Sequence, residues 1–270
     1  MSKTILITGS SSGIGKVTAR HFQSQGWNVI ATMRSPEKEQ ELNLLENVLV
    51  TRLDVRDNGS IHAAINAGIT RFGIIDVLVN NAGYGLSGPL EAISQEKIRR
   101  QFDTNVMGLI ETTRAVLPHL RANKKGTVIN ISSPAGVAGF PLNSMYCASK
   151  FAVEGFSQAL SFELDAIGVT VKLVTPGHID TDFSGRSFDF NHDVEWVEYQ
   201  SIVDKFEHLR RNYPKGANPQ LVAQVIYQAA TDGSKQLRYV AGEDAEKLIA
   251  ARKSTTDEQF MAGIKSQFGL

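Results

Sequence analysis

Thr8-Gly9-Ser10-Ser11-Ser12-Gly13-Ile14-Gly15 follows the apolar run Thr4-Ile5-Leu6-Ile7 and opens a helical pattern. A strand, a glycine turn and a helix in direct succession begin a βαβ unit. The glycines let the backbone come close to a diphosphate that the helix N-terminus then stabilises. A dinucleotide suits such a turn. Its spacing differs from GxGxxG, with three residues between the first two glycines, so other readings stand beside it. A P-loop is rejected, because Gly9 and Gly15 are one residue too far apart and Val17 follows Lys16 where a magnesium-binding hydroxyl is required. Gly9-Ser10-Ser11-Ser12-Gly13 also spells the nucleophile elbow G-x-S-x-G, which makes a serine hydrolase the rival from another reaction class. At the first strand, however, no earlier strand and loop can supply the second oxyanion donor. The downstream histidines and aspartates form no triad pattern.

Outward from this turn, short β-branched or apolar runs alternate with helical stretches: Trp27 to Ala31, Val48 to Leu53, Val77 to Asn80, Thr127 to Ile131, Val169 to Val174 and Arg238 to Ala241. The later runs are continuous rather than alternating, as strands covered on both faces of a parallel sheet should be. With the first run they predict about seven strands in an α/β chain. Gly26 closes the first helical stretch, Asp57 caps the third, and Asn218 with Pro219 opens a late one. Two long helical stretches, Gln95 to Asn123 and Ser144 to Ile167, have faces to spare for association. No repeat, low-complexity tract or linker divides the sequence, so residues 1–270 are expected to form one domain. The stretch 183–213 breaks the rhythm with about a third of the chain's aromatic residues and is expected to be an insertion.

The 270 residues carry 28 basic and 28 acidic side chains, a formal net charge of zero, which argues against nucleic acid as a partner. No run approaches eighteen apolar residues, so no membrane span is expected. A lone cysteine, Cys147, and the lack of a secretory leader point to the cytosol. None of the six histidines has metal-ligand spacing, and no metal is expected.

Tyr146-Cys147-Ala148-Ser149-Lys150 falls in a helical pattern, where a four-residue separation puts phenol and ammonium on one face. A free tyrosine titrates near about 10, and a fixed positive charge at Lys150 is expected to lower that value. Ser133, thirteen residues upstream, follows a strand and so sits at the carboxyl edge where open α/β sheets bind ligands. Asn80-Asn81-Ala82-Gly83 ends the fourth strand, Asn105 lies in a long helix, and Pro176-Gly177-His178-Ile179-Asp180-Thr181 follows the sixth strand. In order and spacing, these five elements together with the glycine turn Thr8 to Gly15 resemble the short-chain dehydrogenase/reductase family over about residues 3 to 185, most closely its hydroxysteroid and retinol dehydrogenase or broad carbonyl reductase branches.

The resemblance implies a Rossmann-type, doubly wound parallel sheet of strand order 3-2-1-4-5-6-7 and hydride transfer between a nicotinamide and a carbonyl or secondary alcohol. It makes Tyr146 the general acid in reduction, and Ser133, preferred over Ser132 by the spacing, the hydrogen-bond donor to the substrate oxygen. Lys150 would hold the nicotinamide ribose, and the backbone at Asn105 would anchor a relay water. The cofactor would lie along Gly9, Ser11, Ser12, Gly13, Ile14, Gly15, Asp54, Val55, Asn81, Ala82, Gly83, Tyr146, Lys150, Pro176, Gly177, Ile179 and Thr181. The second strand ends Ala31-Thr32-Met33-Arg34 with no carboxylate for an adenosine ribose, and Arg34 offers a planar fork to a 2′-phosphate, so NADP(H) is expected. One departure is Ser12, where NADP-preferring relatives often carry a basic residue. The stretch 183–213 lies where relatives place a mobile substrate lid, and its aromatics predict an apolar ketone or aldehyde. A non-catalytic NADP-binding sensor or scaffold is the alternative. A homodimer or homotetramer through the two long helices is expected.

Overall fold

A computed structural model describes residues 2–270 of the chain. The elements follow in the order β1 (Thr4–Ile7), α1 (Gly13–Ser24), β2 (Asn28–Met33), β3 (Val48–Arg52), α2 (Asn58–Phe72), β4 (Val77–Asn80), β5 (Gly85–Ser87), α3 (Gln95–Phe102), α4 (Gly108–Asn123), β6 (Gly126–Ile131), α5 (Ser144–Asp165), β7 (Val169–Pro176), β8 (Phe188–Phe190), α6 (Val197–Arg211), α7 (Pro219–Thr231), β9 (Arg238–Ala241), α8 (Glu243–Ser254) and α9 (Asp257–Phe268). The large sheet is parallel throughout and runs β3-β2-β1-β4-β6-β7-β9, while β5 and β8 form a separate parallel pair. Counted by themselves, the strands of the large sheet run 3-2-1-4-5-6-7, the doubly wound order expected from the resemblance.

The continuous apolar runs are explained by burial on both faces. In β1, Ile5 and Ile7 pack with Phe22, Trp27, Val222 and Ile226 beneath α1 and α7. Leu6 points the other way, into a second cluster with Ile61, Ile65, Val116, Leu120 and Leu160 beneath α2, α4 and α5. Phe22, wholly buried, meets Trp27 and Tyr227 edge-on at 5.0 and 5.2 Å between ring centroids. A side chain of that size stabilises the fold by about 2–3 kcal/mol on burial. The helix starts follow local chemistry: Asp57 accepts from Ser60 N at 3.2 Å and Asn218 from Gln220 N at 2.9 Å. Asp57 caps the second α-helix rather than the third, because only short 3-10 turns occupy the stretch between β2 and β3.

Sheet order reverses between β1 and β4, so the turns that leave their carboxyl ends diverge and open a crevice. Thr8 Oγ1 bridges them, accepting from Asn81 N and Ala82 N at 3.0 Å each. The expected long helix 95–123 is interrupted at Asp103–Met107 by a π-helical turn. Two short parallel strands, β5 and β8, were missed by the sequence reading, since a three-residue strand has no periodicity to detect.

Candidate active site

One cleft of about 1500 Å³ follows the carboxyl edge of the large sheet. Small-molecule sites span roughly 300–1,000 Å³, so this one has room for two ligands end to end. Of the residues singled out from the sequence, Gly9, Ser11, Ser12, Gly13, Ile14, Arg34, Asp54, Val55, Asn81, Ala82, Gly83, Ser133, Tyr146, Lys150, Pro176, Gly177, Ile179 and Thr181 all line it. Gly15 and Asn105 do not, and both stand behind the wall.

The glycine turn provides the test of fit for a dinucleotide. Gly9 has φ +72° and Gly13 φ +53°, values that a side chain rarely tolerates. A Cβ at Gly15 would collide with the Gly9 carbonyl and the Asn81 amide, so helix α1 starts flush against the end of the sheet. Its first N–H groups are not folded onto a capping side chain, because the Ser12 hydroxyl makes no cap bond. A backbone that can be closely approached and an uncapped 12-residue helix form an anion cradle, and the residues present fit a dinucleotide diphosphate. Lys16 turns away to Glu39 and Glu41 at 3.1 and 2.9 Å, which removes the phosphate-binding lysine a P-loop needs. Among the described residues, Ser11 has no hydrogen bond to a histidine, so the hydrolase reading lacks its base.

At the other end, Tyr146 and Lys150 stand one turn apart on α5. Tyr146 and Ser133 both line the cleft, whereas the Ser132 hydroxyl is turned into the interior and donates to Glu154 Oε1 at 2.5 Å. The two neighbouring serines thus differ in their surroundings: the Ser132 hydroxyl is committed to Glu154, and Ser133, the one preferred by the spacing, stands in the cleft with Tyr146. Lys150 is only 8% exposed; its Nζ donates to the Ile131 carbonyl at 2.8 Å and lies 5.9 Å from the Tyr146 ring centre. Burial pushes the Tyr146 phenol up to about 12, with the nearby Ser133 hydroxyl opposing and Cys147 adding to the rise. Burial likewise pulls Lys150 down to about 8, against the pull of Glu154. The expected lowering of Tyr146 by Lys150 is thus corrected: the ammonium is engaged by a carbonyl, and desolvation of the phenolate dominates.

Asn105 sits in the π-helical turn, 2% exposed. Its Oδ1 accepts from Tyr84 N at 3.1 Å, and its Nδ2 donates to Tyr84 O at 2.9 Å and Ser149 Oγ at 3.3 Å. Ser149 in turn donates to the Tyr146 carbonyl at 2.7 Å, so Asn105 braces the turn of α5 that carries the phenol. The wider turn breaks the usual i→i−4 ladder just there, a common device at functional sites.

Five of the seven aromatics in 183–213 line the cleft: Phe183, Phe188, Phe190, Phe206 and Tyr213. Trp196 and Tyr199 do not; they pack on each other at 6.3 Å, and Tyr199 donates to Glu91 at 3.0 Å. The ring of Phe206 is buried and stacks on Phe190 at 5.5 Å, Phe188 at 6.4 Å and Phe268 at 6.5 Å. Several lining residues were missed by sequence reading. Phe140, Leu248 and Phe268 reach the same apolar end, the last two from the C-terminal helices, and Asp244 accepts from His178 N at 2.6 Å behind the Pro176-Gly177 turn. Nothing in their spacing marks them, because Phe140 reaches the cleft from the loop before α5 and the others through the packing of α8 and α9.

The chain is similar in sequence and fold to known proteins. The short chain dehydrogenase family model matches residues 3–191. The chain is 41% identical over 239 residues to an uncharacterized oxidoreductase of Schizosaccharomyces pombe, across 88% of this chain and 100% of that one. It is 34% identical to 3-ketodihydrosphingosine reductase of Bacteroides thetaiotaomicron, covering 95% and 94% of the two chains, and 34% identical to retinol dehydrogenase 8 of Bos taurus, covering 93% and 85%. Among solved structures, a short-chain dehydrogenase from Streptomyces avermitilis superposes with a TM-score of 0.86 at 30% identity over 99% of this chain and 98% of that one. ElxO with NADP bound superposes with a TM-score of 0.73 at 30% identity, over 90% and 98%.

Proposed function

The chain belongs to the short-chain dehydrogenase family and is an oxidoreductase of CH–OH groups that uses a nicotinamide cofactor, and from that premise we propose that it is an NADP(H)-dependent reductase of apolar ketones or aldehydes. The observation that carries the reading is that Tyr146, Ser133 and Lys150 stand together in a glycine-lined cleft whose far half is aromatic. The dinucleotide, when bound, supplies the hydride. Tyr146 keeps its proton at neutral pH, because burial raises it, and so is in the form that can donate to a carbonyl oxygen. Ser133 donates to the same oxygen and favours the charge that develops there. Lys150 would hold a hydroxyl of the nicotinamide ribose, and its ammonium stands 5.9 Å from the Tyr146 ring centre. Asn105 keeps Tyr146 in place through Ser149, and its backbone would anchor a relay water.

The choice of NADP(H) is supported by Arg34, which lines the adenosine end with no partner among the described residues, and by the absence of an acid at Met33. It also agrees with the NADP held by ElxO. The apolar substrate is supported by the Phe206 stack and by the named substrates of two relatives, a 3-ketodihydrosphingosine and retinol. In this reading residues 1–270 are one domain, 183–213 is its substrate lid, and the protein acts in the cytosol as a homodimer or homotetramer. Exposed Phe151 and Phe162 on α5 support association through that helix. Loss of NADPH absorbance with a panel of long-chain ketones and aldehydes tests the proposal. Absence of turnover with every carbonyl offered, in protein shown to be folded, removes it.

A further inference from the structure

The glycine turn contains no cation, yet one reaches it from elsewhere. Ser12 precedes Gly13 and is well suited to cap α1, but its hydroxyl makes no capping bond. It accepts instead from Arg186 Nη2 at 2.6 Å, a contact that spans 174 residues of sequence. The other partner of Arg186 is Asp182, 3.4 Å away and four residues earlier. Both side chains of that pair are well exposed, so it is weak and easily exchanged. A guanidinium has five donors in a planar fork, which leaves several available for an anion in front of it. Arg186 lines the cleft with Ser12 and Gly13, and Arg34 lines the same cleft from the end of β2.

A cation held over an uncapped helix start has the chemistry of a phosphate site. We propose that Arg186 is a phosphate-binding residue for the dinucleotide and that it supplies, from the stretch 183–213, the positive charge that the glycine turn lacks at Ser12. This rests on the nicotinamide dinucleotide reading and adds to it a residue that no sequence motif indicates. Two phosphates of NADP(H), the 2′-phosphate and the diphosphate, offer the same chemistry to the guanidinium.

Equilibrium titrations of the full chain with NADPH, NADH and adenosine 2′,5′-bisphosphate separate them, read by fluorescence for the first two and by calorimetry for the third. Arg186→Ala is expected to raise Kd by about tenfold for each probe whose phosphate Arg186 holds. Loss with NADPH and the bisphosphate but not NADH assigns the 2′-phosphate, and equal loss with NADPH and NADH alone assigns the diphosphate. Unchanged Kd for all three overturns the proposal. Adding Ser12→Arg to Arg186→Ala puts the charge back in the turn and is expected to recover most of the affinity. If it does not, Arg186 acts by packing and the assignment is wrong. Arg186 is exposed, so thermal unfolding should be the same in both variants. Failure of the unaltered chain to bind NADPH or NADH would instead refute the cofactor reading itself.

Discussion

Tyr146 and Lys150 are drawn in opposite directions by the same cause. Burial disfavours the charged form of each, raising the phenol to about 12 and lowering the ammonium to about 8. For Lys150 the folded state binds fewer protons than the unfolded one between about pH 8 and 10.5, so stability rises with pH across that window. Chemical denaturation of the cofactor-free protein should therefore show the unaltered chain gaining stability relative to Lys150→Met as pH is raised from 8 to 10. A flat difference would show that the ammonium is not desolvated. Replacing Tyr146 by Phe removes only the hydroxyl and should lower turnover by about a thousandfold or more, the upper part of what one positioned acid contributes, while NADPH affinity stays within about threefold. At the adenosine end, Arg34→Ala should raise Kd for NADPH by about tenfold and leave NADH nearly unchanged. Equal losses would assign Arg34 to something other than the 2′-phosphate.

Helix α5 must hold those side chains against the edge of the sheet, and a line of buried amides and hydroxyls ties it there. Asn80 in β4 and Asn130 in β6 are direct neighbours in register, and Asn80 Nδ2 donates to Asn130 Oδ1 at 2.9 Å. Asn130 Nδ2 then donates to Ser157 Oγ on α5 at 2.8 Å, two turns beyond Lys150. Polar residues within otherwise apolar strands are costly unless each partner is present. Asn130→Ala should therefore destabilise the protein by about 2 kcal/mol in urea, because it strands groups on β4 and α5. The same change should lower kcat more than it raises KM, as Tyr146 loses its support. A loss of stability with unaltered kcat would confine the network to a structural role.

Across the whole molecule, the two ends of the cleft are built differently. The cofactor end is made of turns that leave one continuous sheet, whereas the apolar end is assembled from 183–213, Phe140 and the C-terminal helices. Phe206 is the centre of that assembly, stacked between β8 and the end of α9. Turnover efficiency over a series of ketones should rise with apolar chain length, and Phe206→Ala should flatten the rise. Best turnover with small polar ketones would contradict an apolar site. Since Phe206 also packs the stretch 183–213, its variant should be compared by NADPH binding as well, which should stay intact.

The glycine turn, the seven apolar runs and the Asn, Ser, Tyr and Lys positions were legible because each depends on local rules: a positive φ, strands buried on both faces, a four-residue helical repeat. The strand order and the residues expected along the cofactor came instead from the family resemblance that these motifs carry together. The family spacing prefers Ser133, but the bond that turns Ser132 inward to Glu154 comes from another element, and no spacing indicates it. Nor could sequence foresee the balance of charges at Lys150, since spacing on a helix reports proximity but not desolvation. Arg186 over Ser12, Asp244 behind Gly177 and Phe268 against Phe206 belong to the same class. Each is a contact between residues far apart in the chain, fixed by the way the last helices and the 183–213 stretch pack, and no short-range pattern encodes such a meeting.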